Sequence, residues 1–198
     1  MHTLHLRRLE HHLQQTGLTM LELLITLGIA AILASLALPS FASMLRKTST
    51  TVIANQLIGL VQYARAEAVA REVTVTLCGS SNGQRCDGQW SSAILVFSDH
   101  NEDGVINNSD TILRNIHLAN AGDQLVWRVF GNKPYLQLHP TGITYFQNGN
   151  FTYCPKDNNT LYALHWIMNV NGHLRLGQDT NHNGVLEKSD GTDISCPP

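Results

Sequence analysis

Residues 18–45 read LTMLELLITLGIAAILASLALPSFASML, and Glu22 is the one ionisable side chain among them. A helix needs about 20 apolar residues to cross a bilayer core, so the stretch is long enough. Ahead of it stand residues 1–17, MHTLHLRRLEHHLQQTG, polar and mixed, with Arg7, Arg8 and four histidines. Two fates fit such a segment: a secretory signal cut after Ser35-Leu36-Ala37, or a retained membrane helix. Glu22 argues for retention, because a carboxylate inside a lipid-facing helix costs about 3 kcal/mol. The pattern beyond Pro39 argues the same way. Phe41, Leu45, Val52, Ile53, Leu57, Leu60, Val61, Ala64 and Ala68 recur at three- and four-residue spacing. Arg46, Asn55, Gln62, Arg65 and Arg71 fall mostly elsewhere on the wheel. The spacing predicts one long helix, apolar throughout residues 18–45 and amphipathic over 46–72.

A chain of 198 residues accommodates one domain with a proper core. Hydrophobic residues make up 43% and charged residues 14%, which excludes a disordered chain. A net charge of −2 argues against nucleic-acid binding through a generally basic surface. Cys78, Cys86, Cys154 and Cys196 all follow the apolar segment. Their even number in a turn-rich region points to two disulfides and an oxidising compartment, with three pairings open. The short Cys78–Cys86 separation, across Gly79-Ser80-Ser81-Asn82-Gly83, favours a local bridge and leaves Cys154 with Cys196. A zinc site is the alternative, but neither pair has zinc-ligand spacing. Basic residues flank the apolar stretch on both sides, so charge alone does not orient it. The cysteines do, by placing the body outside a cytoplasm that holds the N-terminus.

After the helix, Val73–Cys78, Ala93–Ser98, Thr111–Leu118, Leu125–Val129, Tyr135–His139, Phe151–Cys154, Tyr162–Val170 and His173–Leu176 read as strands. Gly, Asn and Asp clusters separate them at short intervals. The expected architecture is α+β, with largely antiparallel sheets against the amphipathic half of the helix.

Gly17-Leu18-Thr19-Met20-Leu21-Glu22 resembles the type IV prepilin cleavage motif. The resemblance implies a leader over 1–17, cleavage between Gly17 and Leu18 by a prepilin peptidase, and N-methylation of Leu18. Leu18 departs from the usual phenylalanine. Pro39 falls where many pilins carry a helix-kinking proline. Downstream, the chain resembles the GspH/FimT family of minor pilins and pseudopilins over nearly its whole length. The stretches that carry the likeness are Asn55–Leu57 through Ala64–Ala68, the Cys78–Cys86 loop, and Leu95–Asp99 leading to Ile112–Arg114. Pro140–Gly142, Phe151–Cys154 and Gly172–Arg175 complete it. The resemblance implies a single-pass inner-membrane protein with a periplasmic head over 73–198. It would prime or cap a type IV pilus, with other pilins and the inner-membrane assembly platform as partners. A type II secretion pseudopilin and a DNA-binding pilin for natural transformation are the alternatives. In a filament, Glu22 would meet the amino terminus of a neighbour's first residue, and the apolar helices would pack side by side.

Two loops carry further chemistry. Asp99, Asn101, Asp103 and Asp110 occupy positions 1, 3, 5 and 12 of a calcium-type loop, with Gly104 at 6 and Ile106 at 8. Asp179, Asn181, Asn183 and Asp190 repeat the spacing around Gly184. The alternative is that Asn, Asp and Gly simply make tight turns. Family members implicated in DNA uptake carry Gly-Arg-x-Arg near the C-terminus. Here Gly172-His173-Leu174-Arg175 keeps Arg175 and has His173 in place of the first arginine. Phosphate binding scales with the number of cations, so Arg175 needs Arg128, Lys133, Lys156 or Lys188 beside it. No nucleophile motif, zinc-protease motif or phosphate loop occurs, and no catalytic residue is expected.

Overall fold

In the computed structural model, residues 17–144 and 146–196 are described. Helix α1 runs Met20–Arg71 and continues through Pro39. Eight strands follow: β1 Val75–Ser80, β2 Ala93–Ser98, β3 Thr111–Ile116, β4 Gln124–Val129, β5 Tyr135–Leu138, β6 Gly149–Cys154, β7 Leu164–Met168 and β8 Leu174–Leu176. All pairings are antiparallel. One sheet has the order β3-β2-β1-β5, the other β4-β6-β7-β8. The chain divides into two compact units after Met44.

In the second unit, α1 buries Ile53, Ala54, Leu57, Leu60, Val61, Ala64 and Ala68. These positions form one stripe at three- and four-residue spacing. They pack with Val75, Leu77, Ile94, Val96, Leu136 and Leu138 of the first sheet. The second sheet contributes Leu125, Trp127, Phe151, Trp166 and Met168 to the same core. Trp127 and Phe151 have ring centroids 4.4 Å apart, and Trp90 meets Phe151 edge-on at 5.1 Å. Each fully buried leucine or phenylalanine contributes about 2 kcal/mol. Phe41, Leu45 and Val52 share the apolar periodicity but stay exposed, at 60%, 54% and 48%. The stripe that the sequence starts at Phe41 is buried only from Ile53 onward.

The two central strands of the first sheet are covered on both faces, while the edge strand β3 is largely exposed. Every residue of β1 and β2 is buried, so neither shows the in-out alternation of a half-exposed strand. Cys78, Leu95 and Phe97 face away from α1, and Cys86, Ile106 and Tyr135 pack over them. The cover is therefore the Cys86 loop and the 99–110 loop. Gly104 has φ +73°, and a Cβ there would strike the Tyr135 ring, so glycine is required where the second loop crosses the sheet. Cys78 is bonded to Cys86 and Cys154 to Cys196, and none of the cysteines is free. The Tyr162–Val170 reading splits into a 3-10 turn, Thr160–Tyr162, capped by Asn159, and a shorter strand, β7.

Candidate functional site

The segment at the start of α1 is organised by Thr19. Its Oγ1 accepts the Glu22 amide at 3.2 Å, and its carbonyl accepts the Leu23 amide at 3.1 Å. Thr19 is thus the helix N-cap, satisfying N–H groups that no intrahelical carbonyl can reach. Thr19 and Glu22 stand at capping-box spacing. Both residues therefore have a local reason to be present, which the cleavage-motif reading of this stretch overlooked. Gly17 and Leu18 precede the helix, with Leu18 70% exposed, and residues 1–16 of the 1–17 leader lie outside the described residues. An 18-residue window of α1 near its N-terminus has a mean hydropathy of 2.3, and none of it is buried. It is long and apolar enough to cross a membrane. So large an exposed apolar surface marks a site that lipid or another chain covers.

The loop after β2 is anchored by Asp99, which is fully buried. Its Oδ2 accepts Thr76 Oγ1 at 2.7 Å, the Gly104 amide at 3.0 Å and Gln137 Nε2 at 3.1 Å. Its Oδ1 is buried with no hydrogen-bond partner. Asp103 Oδ1 accepts the Val105 amide, and its Oδ2 accepts Asn101 Nδ2 at 2.7 Å. Asp110 accepts the His100 and Asn107 amides, one on each oxygen. The loop thus closes on its own hydrogen bonds. Among the described residues, no three His, Cys, Asp or Glu side chains gather into a metal-holding group.

The second loop closes differently from its sequence pattern. Asp179 accepts the Gly184 amide at 2.8 Å, as Asp99 accepts that of Gly104. Asp190, at the twelfth position, turns instead to Thr192, whose amide and hydroxyl both reach its Oδ1. The Asn181 and Asn183 side-chain Nδ2 groups donate to Asp193 at 3.2 and 2.7 Å. The reason is local. Lys188 and Thr192 close their own turn, and Glu187 bridges to Asp193, which brings Asp193 to the loop.

His173 lies in the turn before β8, and Arg175 lies on β8. Both are exposed, and register connects Arg175 to other cations. Arg175 pairs with Ile167, Ile167 with Asn150, and Asn150 with Arg128. These four share the outward face and span the sheet from edge to edge, roughly 14 Å between the arginine backbones. His165, one row along, is held below the ordinary histidine pKa by burial, with Lys188 and Arg175 adding to the effect. Of the four cations named with Arg175, Arg128 shares its outward face and Lys188 acts with it on His165. Lys133 stands over the Tyr135 ring and Lys156 lines a separate cleft.

The two sheets, α1 and their connections correspond to a known family. A family model described as Type II transport protein GspH matches residues 54–172, more than half of the chain. The chain belongs to the GspH family. The match begins at the buried half of α1 and ends at Gly172, so the apolar segment and the Gly17–Glu22 motif are separate observations. Among solved structures, the type IV minor pilin FimU of Pseudomonas aeruginosa is similar at 19% identity and a TM-score of 0.50. It covers 70% of this chain and 92% of its own. The minor pseudopilin EpsH from the Type 2 Secretion System of Vibrio cholerae is 15% identical, with a TM-score of 0.46. The coverage there is 65% of this chain and 95% of that one. At such identities the FimU likeness is one of fold, a long helix followed by antiparallel sheets. No curated protein matches. The chain is thus a GspH-family member with an α+β fold like that of FimU.

Proposed function

We propose that this GspH-family protein is a minor pilin that primes or caps a type IV pilus, supplying contacts and not chemistry. One observation carries the reading. The apolar part of α1 is exposed on every side, while the rest of the same helix fills the core of a disulfide-stapled head. The protein would span the inner membrane once, N-terminus cytoplasmic and head periplasmic, before joining a filament. A prepilin peptidase would cut between Gly17 and Leu18 and the new amine of Leu18 would be methylated. The other partners are further pilins and the assembly platform. Glu22 would pair with that amine on a neighbouring subunit, which removes the cost of a lone carboxylate in lipid and sets the register. Mass spectrometry of protein extracted from membranes tests this. The mature chain should begin at methylated Leu18 and contain no free thiol; a start near Leu38 overturns the reading. A type II secretion role predicts secretion genes, not pilus genes, as genomic neighbours.

Two further readings each have a supporting observation. Calcium in the 99–110 loop is favoured by the unpartnered, buried Asp99 Oδ1. Elemental analysis and a chelator-dependent shift in melting test it; no metal and no shift end it. DNA capture is favoured by the Arg128–Arg175 row with Lys188 nearby. A salt-dependent gel shift that weakens on Arg175→Ala supports it, and no binding at low salt rejects it.

A further inference from the structure

Residues 185–196 return across the outward face of the second sheet. The Cys154–Cys196 bridge ties them down, and Ile194, buried beside Cys154 and Ala163, packs beneath. Between this segment and β4, β6 and β7 lies a cavity of about 260 Å³. The sheet side presents Arg128, Asn150, Thr152 and His165, and the covering segment presents Lys188 and Ser195. Among the described residues, neither Arg128 nor Lys188 makes an ion pair or a side-chain hydrogen bond. Both cations line one partly open groove, where a multivalent anion can interact with the two at once. Asp190 lines the same groove; hydrogen bonds from Thr192 and the Lys188 charge hold its carboxyl below the usual range, so it offsets part of the positive charge there. His165 Nδ1 lies 3.0 Å from Thr152 Oγ1, which fixes the ring against the wall. A volume of this size admits a compact ligand. Hydroxyl and amide donors interspersed with cations are what tetrahedral oxyanions accept from.

We propose that this cavity binds a compact phosphate-type oxyanion, inorganic phosphate or a phosphate monoester, between Arg128 and Lys188, with donors from Asn150, Thr152 and Ser195. The site is independent of the filament role, because it uses no residue of α1.

The test uses the full chain in neutral detergent, with inorganic phosphate titrated against chloride at matched ionic strength. Saturable binding with a dissociation constant of about a millimolar or tighter is expected. Arg128→Gln and Lys188→Gln should each weaken it about tenfold, whereas Lys133→Gln, outside the cavity, should leave it unchanged. Both cavity side chains are exposed, so the melting temperature without ligand should stay close to the parent's and report intact folding. A second readout is the His165 ring resonance. Sulfate, whose charge is constant between pH 5 and 8, should raise its titration midpoint, against the present opposition of Arg175 and Lys188 and alongside Asp190. Glycerol phosphate binding as tightly as inorganic phosphate identifies a monoester site; binding of inorganic phosphate alone identifies a free-anion site. Absence of saturable binding, or binding that neither cavity substitution weakens, overturns the proposal. Duplex DNA binding through Arg128, Lys188 and Arg175 without phosphate binding also overturns it, leaving an open polyanion stripe.

Discussion

Two stretches of one helix meet opposite surroundings. Residues 20–44 are strongly apolar, yet none of their side chains is buried by this chain. Residues 53–68 are less apolar, yet they supply the spine of the core. Apolar content therefore does not say what covers a helix; periodicity does. A stripe that repeats every three to four residues finds its partner within the chain. A surface apolar all round must find lipid or other helices. The division falls after Met44, with Leu45 and Val52 still exposed.

Substitutions in the two stretches should separate assembly from stability. Glu22→Ala should abolish incorporation into filaments, scored by immunoblot of sheared fibres, and leave head stability unchanged. Normal incorporation of that variant would end the pairing of Glu22 with a neighbour's amine. Within the head, replacing both Cys154 and Cys196 by alanine should cost about 4 kcal/mol, against about 2.5 for the Cys78–Cys86 pair, because the bridged loops differ in length. Denaturant unfolding checks the order, and equal losses would contradict it. Leu57→Ala, at a fully buried site, should cost about 3 kcal/mol in the same assay, yet leave processing at Gly17 intact.

The two Asp-Asn-Gly loops sharpen the point. Asp99→Ala should cost about 2 to 3 kcal/mol, since it leaves Thr76, Gln137 and Gly104 without an acceptor beneath the loop. Asp179→Ala, in a loop with no such buried anchor, should cost about 1 kcal/mol or less. A similarly small effect belongs to Thr19→Ala, which removes the helix cap and should cost about 1 kcal/mol of local helix stability. Faster amide exchange at Glu22 and Leu23 would report it.

Much of the head was legible from one chain. Alternation and turn clusters located all eight strands to within about two residues, the Tyr162–Val170 reading overrunning β7 by two at each end. There Asn159 caps a turn before the strand begins, a local hydrogen bond that residue patterns do not distinguish from extended chain. The four site cysteines were legible by spacing. Which of the four named cations share the face of Arg175 was not, because Arg128 lies 47 positions away and is related to it only through three strand pairings.

Sequence alone determined the long helix, the change from apolar to amphipathic along it, the acidic residue at its start, and the α+β class. These depend on neighbours three or four positions away, or on alternation, and both are written locally. Only the tertiary structure decided where along that helix the cover begins, why β1 and β2 are buried on both faces, and where Asp193 displaces Asp190. It alone brought Arg128, His165 and Lys188 to one cavity. Such placements follow from strand order, register and the return of a disulfide-tied tail, which bring together residues far apart in the chain.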